Sequence, residues 1–120
     1  MPSSTVNRAP DLQTPEDHNV GWFLLPRRAS TDTNMTIVVQ RFEPGGRFAE
    51  HRHDLLQYFY VTKGEMELTI GGETGVYAAG DFVSVDRDVP HSGSNAADGE
   101  SELLIVDYWP PDSDDRIGLD

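Results

Sequence analysis

The fold is decided by residues 55–72, which read LLQYFYVTKGEMELTIGG. Leu55 to Val61 is rich in aromatic and β-branched residues and ends at Lys63-Gly64. Glu65 to Ile70 alternates between polar and apolar residues and ends at Gly71-Gly72. A two-residue period is typical of β-strands, and a pair of glycines after such a run is a hairpin signal. Residues 55–72 therefore predict two strands, with a tight turn after the second.

The same period continues on both sides of this stretch. Residues 35–42 read MTIVVQRF, a β-branched run that ends at Glu43-Pro44-Gly45-Gly46, and shorter runs cover residues 76–78, 81–85 and 103–109. No stretch has the periodicity of an amphipathic helix of three turns. Short strands separated by glycine and proline turns in a chain of 120 residues indicate an all-β sandwich or small barrel.

The composition is that of one small domain and limits its partners. Apolar residues make up 37% of the 120 residues, which is enough for one small core. The formal net charge of -12 would repel phosphate backbones and anionic lipid, so we expect no nucleic acid and no membrane as partners. The absence of cysteine excludes disulfides and thiolate zinc sites. With no long apolar run and no signal-peptide core after Met1, we expect a cytoplasmic protein.

The chain divides into three parts by composition. Residues 1–20 are polar and proline-containing, and we expect a flexible N-terminal arm, or a strand that orders only against a partner subunit. His18 lies in this arm and is interpreted as a solvated residue. Residues 21–111 form the predicted domain, and residues 112–120 form an acidic C-terminal tail after a double proline.

Three of the four histidines have a spacing that suggests a metal site. His51 and His53 are two residues apart, so both imidazoles would project from one face of an extended strand, and Gln57 would share that face if the strand has no bulge. His91 lies about three strands later and could complete the set. Three imidazoles and an amide oxygen suit a divalent transition metal. Exposed loop histidines or a buried structural pair would explain the spacing equally well.

These residues resemble the motifs of the cupin superfamily. Gly46-x4-His51-x-His53-x3-Gln57-x6-Gly64 is similar to the first cupin motif, G-x5-H-x-H-x3,4-E-x6-G. The second motif is matched by three groups of residues, with a Pro-His pair in place of the usual P-x-G-x2-H spacing: Gly80-Asp81, Val89-Pro90-His91 and Asn95. The resemblance covers residues 35–109. It implies a cupin jelly-roll (double-stranded β-helix) barrel.

The resemblance also implies a metal held by His51, His53, His91 and Gln57, with Zn, Ni, Mn, Fe and Co all open. Gln57 stands where most metal cupins have Glu, so the ligand set is neutral and the ion keeps its full +2 charge. That charge strengthens a Lewis acid and disfavours a +3 state. Small cupins of the pectin-degradation, uronate-opening type and cupin hydroxynitrile lyases share this ligand pattern, and polyketide cyclases are a looser likeness. Alternatively, Gln57 marks a lost metal site.

Strand alternation and the same resemblance suggest the rest of the pocket. We expect Val38, Gln40, Val106 and Tyr108 near the metal, with Gln40 holding a substrate oxygen and the Tyr108 hydroxyl transferring a proton; rim or core roles for Gln40 and Tyr108 are equally consistent with the pattern. Asp107 alternates away from Val106, so it either turns inward at a bulge or lies on the surface.

Three functions are compatible with this reading. The first is a metal-dependent lyase, isomerase or cyclase that acts on a small oxygenated metabolite without redox chemistry. The second is an Fe(II) dioxygenase, and the third is a non-catalytic ligand-binding cupin.

Tyr58 and Tyr60 project away from the core residues Phe59 and Val61, and we interpret them as a packing surface or the interface of a homodimer.

Overall fold

The computed structural model describes residues 9–26 and 34–114. These residues form ten strands and one short 3-10 turn at Pro15–Asp17. The strands are β1 (Leu12–Thr14), β2 (Asn19–Leu25), β3 (Met35–Phe42), β4 (Arg47–His51), β5 (Leu56–Lys63), β6 (Glu65–Ile70), β7 (Glu73–Ala78), β8 (Phe82–Val85), β9 (His91–Asn95) and β10 (Ser101–Tyr108). No helix of the described segments is long and apolar enough to span a membrane.

Two antiparallel sheets pack against each other and enclose the core. The six-stranded sheet has the order β1-β2-β3-β10-β5-β8, and the four-stranded sheet has the order β4-β9-β6-β7. Both sheets contribute fully buried side chains to one cluster, which includes Phe42, Val61, Met66, Leu68 and Leu103. Since each strand alternates inward and outward residues, one face of each sheet builds this core. The all-β prediction is confirmed.

The strands with a clean apolar period lie where the sequence predicts them. β3 spans Met35–Phe42 and β6 spans Glu65–Ile70, and the turn after β6 has positive φ angles of 57° at Gly71 and 83° at Gly72. β9 has no such period, because its residues are His-Ser-Gly-Ser-Asn. Its Gly93 fits against an aromatic ring, since a Cβ there would lie 2.5 Å from Phe48 Cε1.

The N-terminal residues that the structure describes belong to the six-stranded sheet. β1 pairs with β2 and β2 pairs with β3, so from Leu12 onward the predicted arm is part of the same domain. Asn19 in β2 is buried, and its side-chain amide donates a hydrogen bond to the Arg47 carbonyl oxygen over 2.6 Å. Residues 1–8 lie outside the described segments.

Hydrogen bonds join the chain after β10 to the loop that follows β4. Arg87 donates hydrogen bonds to the carboxylates of Asp54, over 2.6 Å, and of Asp112, over 2.9 Å. The backbone N–H of Asp114 donates to Asp54 over 2.9 Å. These bonds, led by the one from Arg87, lower the pKa of the Asp54 carboxyl. The start of the predicted acidic tail therefore packs against the β4–β5 connection.

Candidate functional site

A cavity of about 250 Å³ lies between the two sheets. On the six-stranded sheet, cross-strand neighbours form rows that line it, because directly opposed residues of antiparallel strands share a face. The polar row is Thr36, Asp107 and Gln57, and the next row is Val38, Ile105 and Phe59. The cavity therefore has a polar end and an apolar body.

The histidines come from the other sheet. His51 ends β4 and His91 begins β9, and the two residues are paired across these strands with ring centroids 4.3 Å apart. The ring of His53, just after β4, lies 4.9 Å from that of His51. Gln57 does not continue their strand, because residues 52–55 carry the chain from one sheet to the other. The four candidate ligands thus approach the cavity from both sheets.

Hydrogen bonds to backbone carbonyls orient two of the imidazoles. The Nδ1 atom of His51 lies 2.8 Å from the Ala49 carbonyl oxygen, and Nδ1 of His91 lies 2.9 Å from that of Val89. A carbonyl oxygen only accepts, so the proton of each neutral ring belongs on Nδ1 and the Nε2 lone pair is left free. Burial, and to a lesser extent nearby His51 and His53, lower the pKa of His91 and favour this neutral form.

Two buried acceptor atoms have no hydrogen-bond partner, one on a residue that lines the cavity and one on a residue whose ring contacts that lining. They are Nε2 of His91 and Oε1 of Gln57. The Gln57 amide donates from Nε2 to Asp107 Oδ1 over 2.9 Å, and Asp107 Oδ2 also accepts from the Thr36 hydroxyl over 3.4 Å. An ionised carboxylate can only accept, so Asp107 fixes which end of the amide faces it. Buried acceptors without a donor are costly, and both atoms are of the kind that binds a cation.

The donor atoms do not converge on a single point. Among residues 9–26 and 34–114, no three His, Cys, Asp or Glu side chains are arranged so that they could hold a metal ion. The rings of His51 and His53 are only half-buried and adjacent, whereas His91 and Gln57 are buried. The chemistry of the donor set fits a metal, although the three imidazoles do not stand in an arrangement that could hold one.

The structure divides the predicted pocket residues into two groups. Val38 and Gln40 line the cavity, and Gln40 Nε2 donates to Asn19 Oδ1 over 2.9 Å. Val106 and Tyr108 do not line it, and Tyr108 is 37% exposed, so the prediction that they lie near the metal was wrong.

The reason is the register of β10, which could not be deduced from its sequence. Ile105 is paired with Val38 and Phe59, and Asp107 is paired with Gln57, so the odd-numbered residues of β10 face inward. Both faces of this strand carry apolar residues, and the charged side chain of Asp107 suggested that the odd-numbered residues face solvent. No bulge is needed to turn Asp107 inward, because the register shift with β5 lies at Glu102/Leu103.

Further cavity residues were missed in the sequence. Trp109 is buried and lines the cavity on the same side of the chain as Asp107. A tryptophan two residues after an aspartate was the available signal, since a buried Trp indicates which face of the strand is internal. Leu12 lines the cavity from β1, which lies in the predicted arm, and Phe23 lines it from β2, which the sequence analysis did not identify as a strand.

The fold and motifs together identify the family of this chain. Residues 38–107 match the Cupin_2 family, described as a cupin domain, and the chain belongs to that family. The two packed sheets are the cupin jelly-roll that the motifs predicted. No curated protein matches the sequence.

Several solved structures share this fold at low sequence identity. A predicted oxalate decarboxylase from Thermotoga maritima is 21% identical with a TM-score of 0.71, over 77% of this chain and 81% of that one. KdgF from Halomonas sp. is 21% identical with a TM-score of 0.69, over 85% and 90%. The polyketide cyclase RemF from Streptomyces resistomycificus is 20% identical with a TM-score of 0.65, over 78% and 66%. At these identities the likeness shows the fold alone.

Proposed function

We propose that this cupin is a divalent-metal-dependent enzyme of the lyase, isomerase or cyclase type that acts on a small oxygenated molecule without net redox change. The observation that carries the proposal is the pair of buried, unpartnered acceptors, His91 Nε2 and Gln57 Oε1. Gln57 lines the cavity, and the His91 ring packs against the lining residues His51 and Phe59. Similarity to structures described as a decarboxylase and a cyclase supports an enzyme of this broad kind.

The metal would be held by His51, His53, His91 and Gln57. Coordination by all three imidazoles would require their rings to reorient, because they do not stand in an arrangement that could hold a metal. A bound divalent ion supplies Lewis-acid polarisation of a carbonyl or hydroxyl oxygen. Because all four donors are neutral, none of them reduces the charge of the ion.

The remaining polar residues of the cavity would orient the substrate and move its proton. Asp107 is the one carboxylate among the lining residues, so we assign it the role of proton acceptor that Tyr108 cannot fill from its exposed position. Gln40 is held by Asn19 and would hold a substrate oxygen. The apolar rows around Val38 and Phe59 would exclude water, which strengthens hydrogen bonds and charge interactions at the polar end.

The test is elemental analysis of the purified protein together with two histidine variants. We expect close to one divalent metal per chain in the native protein and loss of that metal in His51→Ala. His18→Ala is the matched control, because His18 is exposed and its imidazole lies 3.5 Å from a Glu43 carboxylate oxygen rather than at the cavity. The control should retain the native metal content.

Other outcomes would favour the other two candidate functions. An absolute requirement for iron, with oxygen consumed in proportion to turnover, would indicate an Fe(II) dioxygenase. No metal after reconstitution with Zn, Ni, Mn, Fe and Co in turn would indicate a cupin that binds its ligand without metal. Equal metal content in His51→Ala and the native protein would place the metal elsewhere on the chain.

A further inference from the structure

We propose that the molecule bound in this cavity is small, uncharged and mainly apolar, with a single hydroxyl or carbonyl end. The inference deepens the proposed function and rests on it only in taking the same cavity as the binding site. It is carried by three features of the cavity, which are its lining, its charge and its size.

The lining suits an apolar body. Nine of the fifteen lining residues have apolar or aromatic side chains, and five of those nine are Phe or Trp. On the six-stranded sheet, the row of Val38, Ile105 and Phe59 follows directly after the polar row. A polyhydroxylated molecule such as a sugar would leave most of its hydroxyls without partners against this surface, at a cost for each unpaired group. An apolar ring with one oxygen has no such cost.

The charge of the cavity disfavours an anion. Among the residues that line it there is no Lys or Arg, and its one carboxylate, Asp107, already interacts with both Gln57 and Thr36. A substrate carboxylate would face this like charge in a site of low polarity, where repulsion is stronger than in water. Asp107 also offsets part of the attraction that a metal would exert on an anion. An uncharged ligand is not repelled by the Asp107 carboxylate.

The volume sets the size of the ligand. At about 250 Å³ the cavity lies between one of about 150 Å³, which holds benzene, and the range of about 300–1,000 Å³ that is usual for drug-sized ligands. Leu12 and Phe23 line it from the N-terminal strands, and Leu12 is 40% exposed, so we place these two residues at the entrance. A single ring with a short substituent, or a compact bicyclic molecule, fits this space.

The test compares ligands of equal size and different charge. Benzyl alcohol and benzoate have nearly the same shape, and galacturonate represents a polar anion. Calorimetric titration of each, with metal-free protein and with zinc-reconstituted protein, should show benzyl alcohol binding at least about tenfold more tightly than either anion. Asp107→Asn should strengthen benzoate binding several-fold, because it removes the like charge that the carboxylate faces.

A pair of neighbouring variants locates the binding. Ile105 lines the cavity and Val106 lies on the opposite face of β10. Ile105→Ala should weaken benzyl alcohol binding several-fold, whereas Val106→Ala should not. Equal effects of the two variants would overturn the proposal, as would tighter binding of benzoate or galacturonate, or no binding of benzyl alcohol at millimolar concentration.

The results separate this inference from the proposed function. A protein that binds no metal but prefers benzyl alcohol would disprove the metal enzyme and leave the ligand class intact. A protein that binds one metal per chain but prefers an anion would do the reverse.

Discussion

The side-chain amide of Gln57 is hydrogen-bonded at only one end. Its nitrogen donates to Asp107, and its oxygen has no hydrogen-bond partner. An amide can donate to Asp107 and still present an acceptor to a cation, whereas a glutamate in the same place could not donate to a second carboxylate. The change from Glu to Gln relative to the usual cupin motif is therefore matched by Asp107 in the neighbouring strand. This pairing explains how a carboxylate can lie close to four candidate metal ligands that are all neutral.

The Gln57→Glu variant tests this pairing in the metal-free protein. Replacing the Nε2 donor by an oxygen removes the 2.9 Å hydrogen bond and sets two carboxylates against each other. We expect the free energy of unfolding at pH 7 to fall by about 1–3 kcal/mol. Equilibrium urea unfolding measures the change.

Gln40→Glu is the control for this experiment. It also places a carboxylate at the cavity, but the partner of Gln40 is the uncharged amide of Asn19. The loss of stability should be smaller than for Gln57→Glu. A larger loss in Gln40→Glu would show that burial of charge, and not its opposition to Asp107, controls the outcome.

Single residues of the site were predictable where a motif fixes their spacing. His51, His53 and Gln57 line the cavity, and the His91 ring lies against that of His51, although no sequence pattern shows that Gln57 comes from the opposite sheet. Asp107 could not be placed, because its orientation depends on which residues of β3 and β5 lie opposite it. Pairing register between distant strands is a property of the assembled sheet.

At the scale of the strands, the glycines that end β5 and β6 differ in what surrounds them. Gly64 and Gly72 both have positive φ, 75° and 83°. A Cβ on Gly64 would collide with the Ser101 hydroxyl and lie 2.9 Å from the Glu100 carbonyl oxygen, whereas a Cβ on Gly72 would meet nothing within 4 Å. A side chain at Gly72 would therefore add backbone strain alone, whereas one at Gly64 would add both backbone strain and steric overlap.

Alanine substitutions at these two turns should differ in cost. Gly72→Ala should lower the free energy of unfolding by about 1–2 kcal/mol, the cost of a left-handed conformation. Gly64→Ala should cost about 1–3 kcal/mol more, because Ser101 is fully buried and must move. Urea unfolding of both variants gives the comparison, and equal losses would mean that the structure relaxes around Gly64 without cost.

Strands with an apolar period were predictable and the others were not. β3 and β6 have the predicted limits, because alternation and terminal glycines define them locally. β9 is polar and β4 is short, so neither has a local signal, and both are held by pairing across the four-stranded sheet. β1 and β2 were not recognised, because Pro15 and the polar residues that follow it form the turn between them.

At the scale of the whole molecule, the outer face of the six-stranded sheet has apolar residues that no layer built from residues 9–26 and 34–114 covers. Tyr58 and Phe82 stack there with centroids 5.9 Å apart, and Tyr60, Leu104 and Val106 are their cross-strand or same-face neighbours. Phe82 is 62% exposed. We propose that two copies of the chain associate through this face as a homodimer.

A charge introduced on this face should separate the copies. We expect Phe82→Glu to sediment as a monomer under conditions in which the native protein is a dimer. Val76→Glu is the control, since Val76 is 56% exposed but lies in β7 of the other sheet. Analytical ultracentrifugation of the native protein and of both variants measures the oligomeric state. A monomeric native protein, or a Phe82→Glu variant that remains a dimer, would argue against this interface.

The cavity between the sheets also bears on how the sequence can change over time. A buried apolar cavity lowers the stability of a protein by about 24 cal/mol per Å³ when nothing occupies it, so a cavity of about 250 Å³ would cost at most about 6 kcal/mol in that limit. Small domains have only about 5–15 kcal/mol in total. Drift without selection for binding would favour larger side chains at positions such as Val38 and Ile105. A lineage in which ligand binding is no longer selected should therefore fill the cavity with larger side chains before it loses the fold.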